Sequence, residues 1–173
     1  MKKLLLLMML IFLMMSGCGN EKSGQGEQMS DDFNIRFVWA IGAENIYDTY
    51  TGTLQKDLVL DGVATTEFEV DMSVKEQIWQ KLMELDIVSI DREMTSEVLT
   101  TTDMMIEITP LTVYEINITA NGMDYFIKGD CTAASYHDDE DAEHFIEFVD
   151  YMCRIARDTP EFQNLPEANG GYD

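Results

Sequence analysis

Positive charge is scarce in this sequence. Against 33 Asp and Glu stand only 11 Lys and Arg in 173 residues, a formal net charge of -22. Recognition of DNA or RNA requires basic side chains to neutralise phosphates, so this balance argues against a nucleic-acid ligand. It argues equally against electrostatic attachment to anionic lipid headgroups. Histidine is rarer still: the 2 present, His137 and His144, both lie in one acidic run, which leaves a serine or cysteine hydrolase without a base elsewhere. There is no Gly-x-Ser-x-Gly, no phosphate-cradling Gly-rich loop and no Cys-x-x-Cys. An enzyme reading therefore needs a site assembled from scattered carboxylates, and with 33 acids some close pair is inevitable and uninformative. No internal repeat or low-complexity core segment occurs.

One long apolar run is present, Leu4 to Met15, preceded by Lys2 and Lys3 and followed by Ser16 and Gly17. That charged, apolar, small-residue order is the pattern of a secretory signal peptide. As a helix rising about 1.5 Å per residue the run spans roughly 18 Å, short of the ~30 Å hydrocarbon core of a bilayer. Met15-Ser16-Gly17-Cys18 resembles the lipobox of bacterial lipoproteins, with Met15 where Leu is usual. The resemblance implies a thioether-linked diacylglyceryl group on Cys18, cleavage before it and, in many species, acylation of the new amino terminus with a chain such as palmitate. It places the protein on the extracytoplasmic face of the cell membrane, held by lipid, and implies no cofactor beyond that lipid. Loss of residues 1–17 removes Lys2 and Lys3 and leaves 9 basic against 33 acidic residues, a charge of -24. Residues 18–32 are polar and Gly-containing and read as a lipidated flexible tether. Residues 33–173 read as one domain.

Within that domain Phe33, Ile35, Phe37, Trp39 and Ile41 alternate along one face, the period of a strand. After a turn at Gly42 to Asn45, Ile46 to Thr53 and Leu54 to Leu60 are predicted strands, and Asp61-Gly62 turns the chain into a further strand from Ala64 to Asp71. Ser73-Val74-Lys75-Glu76 has capping-box spacing, and Ile78, Leu82 and Leu85 form a helical stripe bordered by Trp79, read as a core anchor of a helix over 74–86. Strands are predicted at Met104 to Thr109, Val113 to Ala120 and Met123 to Lys128, the last two joined by Asn121-Gly122. Tyr114, Ile116 and Ile118 alternate with Glu115, Asn117 and Thr119, so one face of that hairpin is wet. A last helix runs from Asp139 to Arg157, ended by Thr159-Pro160. The order gives an α+β domain, an antiparallel sheet with about two helices on one face.

Three groups of residues are candidate sites. His137, Asp138, Asp141 and His144 offer imidazole and carboxylate ligands for a divalent ion or another small ligand, although two His seven residues apart match no helical zinc motif and no calcium-loop pattern is present. Cys131 and Cys153 remain once Cys18 is lipidated; they form a disulfide tying the last helix to the sheet, or Cys153 is a free buried hydrophobe. Tyr47, Asp48 and Tyr50, within Gly42 to Gly52, offer a recognition edge, the alternative being a structural hairpin. That segment and the tail Asn164 to Tyr172 resemble segments of uncharacterised lipoproteins of Gram-positive bacteria, which implies no activity. The expected function is non-enzymatic binding of a protein or small-molecule partner outside the cytoplasm, with cation or small-ligand binding at the acidic helix start and an unrecognised carboxylate enzyme as alternatives.

Overall fold

The structure, a computed structural model, describes residues 28–42, 44–95, 111–130, 132 and 139–172. The signal segment, Cys18, the strand predicted at 104–109, Cys131, His137 and Asp138 lie outside them. Six antiparallel strands form one sheet: β1 (Asn34–Ala40), β2 (Glu44–Asp48), β3 (Thr53–Asp57), β4 (Val63–Glu67), β5 (Val113–Ala120) and β6 (Met123–Asp130). Their order in space is β4-β3-β2-β1-β5-β6, which makes β1 a central strand paired on both sides. Among the described residues three α-helices accompany them: α1 (Met72–Glu84), α2 (Glu140–Asp158) and the short α3 (Pro160–Gln163). This is the α+β architecture expected from the chain.

The alternation in β1 explains which face is covered. Phe33, Ile35, Phe37 and Trp39 are all buried, and across the sheet their neighbours on that face are Tyr47, Leu54, Tyr114, Ile116, Ile118 and Ile127. All three helices pack on this side. Phe33 meets Trp79 of α1 edge-on at 5.2 Å between ring centroids, Tyr114 meets Phe145 of α2 at 6.1 Å, and Trp39 meets Phe162 of α3 at 6.0 Å. Trp79 is thus the core anchor its place beside the helical stripe suggested, while Ile41, past the end of β1, is exposed. At Gly129 in β6, opposite Tyr114, an added Cβ would meet the Phe145 ring and the Met94 carbonyl, so only glycine lets α2 approach this closely.

Several element ends differ from expectation for local reasons. α1 starts two residues early because Asp71, not Ser73, caps it: the Asp71 carboxylate accepts the Ser73 N–H at 2.8 Å, and Ser73 lies within the helix. The predicted second strand stops at Asp48, whose carboxylate accepts the N–H groups of Tyr50 and Thr51 at 2.8 and 3.4 Å and folds residues 49–52 into a turn. The third stops at Asp57, whose carboxylate accepts the Val59 N–H at 2.8 Å, leaving Val59 with a positive φ of 61°.

The tail returns to that point. Asn169 exchanges backbone hydrogen bonds with Leu58 and Leu60, Tyr172 donates its hydroxyl to Asp57, and the Tyr172 ring lies where a Cβ on residue 42 would be, so Gly42 is required there. Ser30 and Asp32, expected at the end of a flexible tether over 18–32, are fastened to the domain. Ser30 is buried, and Asp32 accepts the N–H groups of Asn121 and Gly122 at 2.8 and 2.7 Å together with the Ser30 hydroxyl. Those amides converge because Asn121 and Gly122 both have positive φ, 54° and 73°. Among the described residues no helix is long and apolar enough to cross a membrane.

Candidate functional site

The acidic helix start is organised around a cation the protein already supplies. Asp139 caps α2, accepting the Ala142 N–H at 3.2 Å, and Arg92 places a guanidinium nitrogen 2.5 Å from both Asp139 carboxylate oxygens and 3.5 Å from Asp141. Arg92, and then the helix amide, hold the Asp139 carboxyl below the usual carboxylate range. His144 turns to Glu140 one helical turn back, at 4.0 Å. Asp141 and His144, two of the four expected ligands, are therefore committed to different partners; the other two, His137 and Asp138, lie outside the described residues. No group of three or more His, Cys, Asp or Glu among the described residues is arranged to hold a metal ion.

Cys153 is a buried free thiol on the apolar face of α2, and burial pushes it up to about 11. Arg157 opposes that shift only in part. Protonated and enclosed at neutral pH, it serves packing.

The recognition edge expected at Tyr47, Asp48 and Tyr50 does not form as such. Tyr47 is 1% exposed, its ring 5.0 Å from that of Phe68 and opposite Leu54 in the core, and burial raises its phenol well above the usual range. Asp48 is buried and spends its carboxylate on the turn. Tyr50 alone, 44% exposed, reaches out, and it reaches over the sheet face opposite the helices, which no element among the described residues covers.

That face carries the alternate residues of each strand. Register places Arg36, Asn117 and Phe126 in one cross-strand row over β1, β5 and β6, with Asn34, Thr119 and Asp124 in the next row toward the 121–122 turn. Tyr50 approaches from the β2–β3 turn and its hydroxyl lies 2.8 Å from Thr119 Oγ1, while the Thr119 hydroxyl donates to Asp124 Oδ1 at 2.6 Å. Because a hydroxyl has one proton, the order is fixed: Tyr50 donates to Thr119, which donates to Asp124. Together Arg36, Tyr50, Asn117, Thr119, Asp124 and Phe126 line an open basin of about 640 Å3. Phe126, 59% exposed, is its apolar wall. Arg36 has one distant ionic neighbour, Glu44 at 3.9 Å, and among the described residues the Asn117 amide has no hydrogen-bond partner in the protein.

Sequence reasoning identified the wet side of β5, with Asn117 and Thr119, but not the site. Arg36 and Phe126 are 90 positions apart in the chain, and only the register β1-β5-β6 brings them to one row. The alternation of Asp124, Phe126 and Lys128 was the available signal: an aromatic on a polar face. The basin also lies at the end of the sheet where Asp32 fastens the start of the domain to the 121–122 turn.

The chain matches no protein-family model, and no curated protein is significantly similar to it.

Proposed function

We propose that the protein is a lipid-anchored extracytoplasmic lipoprotein whose α+β domain binds a partner or ligand, without catalysing a reaction on it, through the uncovered face of its sheet. The observation that carries this reading is the basin of Arg36, Tyr50, Asn117, Thr119, Asp124 and Phe126, a concave surface that sets an exposed aromatic beside the Asn117 amide, the Arg36 guanidinium and the second oxygen of Asp124. Its volume falls within the roughly 300–1,000 Å3 of small-ligand clefts. The anchor rests on the lipobox-like residues Met15 to Cys18 and on the polar stretch after them. Two or more acyl chains, each buried methylene adding about 0.8 kcal/mol, suffice for stable attachment.

The test has two parts. Intact mass of the membrane-extracted protein is expected to show a chain beginning at Cys18 with added acyl mass; a mature species without it refutes the anchor. Crosslinking on intact cells is expected to join the protein to a partner, with Arg36→Ala and Phe126→Ala together abolishing the adduct at unchanged melting temperature. An adduct formed equally well by the double variant refutes the face.

A further inference from the structure

Three properties of the basin restrict what it can hold. The first is charge. Arg36 and Asp124 have opposite signs, Glu44 lies 3.9 Å from Arg36, and Lys128 and Glu115 pair with each other at 3.5 Å nearby on the same face. An anion would meet Asp124 and a chain of net charge -22, and a cation would meet Arg36 and a carboxylate that already accepts the Thr119 hydroxyl. The ligand that suits both carries no net charge.

The second is hydrogen-bond capacity. Asn117 offers two N–H donors and a carbonyl, Arg36 offers a planar fork of donors, and Asp124 retains its second oxygen as an acceptor. A matching ligand presents donors and acceptors side by side, and it presents an apolar face to the Phe126 ring in the same row. The third is the backbone. An extended peptide binds a sheet by pairing with an edge; Arg36 and Asn117 lie on β1 and β5, each hydrogen-bonded to a strand on both sides, whereas Phe126 and Asp124 lie on β6, last in the strand order, so edge pairing reaches only that rim of the basin.

We propose that the basin is a binding site for a neutral oligosaccharide, whose vicinal hydroxyls meet Arg36, Asn117 and Asp124 and whose ring C–H face stacks on Phe126, with Tyr50 as the far wall. This deepens the binding role proposed above and rests on it. Affinity at such an open site is modest, in the range of about 0.1–5 mM.

The experiment is calorimetric titration of the mature lipidated chain, in a non-glycosidic detergent, with N-acetylglucosamine tetramer, maltotetraose and cellotetraose up to about 10 mM. At least one is expected to bind, and Phe126→Ala and Asn117→Ala each to weaken it about tenfold or more at unchanged melting temperature. Binding of none, or binding untouched by both substitutions, overturns the proposal. A photo-crosslinking residue in place of Lys128, on the same face one row beyond Asn117 and Phe126, used on intact cells, separates this proposal from the broader one. A periodate-sensitive adduct supports the oligosaccharide. An adduct to a protein overturns it and leaves the face a binding face; no adduct overturns both.

Discussion

Tyr47 and Tyr50 are three residues apart and have opposite fates. Tyr47 points into the core, 1% exposed, and its truncation leaves a cavity between Phe68 and Leu54; Tyr50 stands 44% exposed on the other face. Tyr47→Ala is expected to cost about 3–5 kcal/mol in chemical denaturation and Tyr50→Ala less than about 1 kcal/mol. Equal losses would contradict the assignment of the two faces. Asp32 provides a second check at this scale. The Ser30 hydroxyl and the Gly122 and Asn121 amides favour its charged form and hold the carboxyl below its ordinary 3.8. Its contribution is therefore complete above about pH 4 and is lost as pH falls through the lower folded value. The amide resonances of Asn121 and Gly122 are expected to titrate together with a midpoint below 3.8; a midpoint at or above that value would show the clamp to be open. Neither feature was legible in the sequence. Tyr47 sits among turn formers that read as a surface segment, and Asp32 sits in polar composition that reads as tether, because its partners are N–H groups about 90 residues away.

Among elements, those with a strong period were legible and those decided by a single polar side chain were not. β1, β5 and α2 follow from alternation or from a helical stripe alone, as does the burial of Trp79. The starts and stops of α1, β2 and β3 depend on whether Asp71, Asp48 and Asp57 turn back to accept local N–H groups, a choice that several nearby Ser, Thr and Asp residues could have made instead. Gly129 shows the same limit in packing. A glycine within a strand reads as a weakness, yet here it admits the Phe145 ring of α2 and the backbone of Met94, which adds itself to the outer side of β6. Gly129→Ala is expected to destabilise the domain by about 1–3 kcal/mol. It should also increase hydrogen exchange at Met94 and Asp130, whose amides bond across that junction. Unchanged exchange at both would mean that helix and strand have room to spare.

For the molecule as a whole, composition was a good guide to class and a poor one to site. Excess acid argues against a nucleic-acid ligand, but it also drew attention to the run at 137–144, where Arg92 already pairs with Asp139 and Asp141. The basin depends on registers that no single segment contains. A net charge of -22 also implies self-repulsion in the folded state. Raising sodium chloride from about 20 to about 300 mM is expected to lift the melting temperature by a few degrees through screening; a fall would mean that ion pairs such as Lys81 with Glu147, at 2.5 Å, outweigh the repulsion. The Asp32 clamp has a mechanical meaning as well. On the proposed anchor at Cys18, residues 19–28 stretched taut reach at most roughly 35 Å, so a ligand seated between β1 and β6 would be gripped near the bilayer. Tension between such a ligand and the lipid would run along β1 and load its ladders with β2 and β5 in shear, many hydrogen bonds at once. The three helices stand outside that load path, and the clamp at Asn121 and Gly122 is the first link to yield.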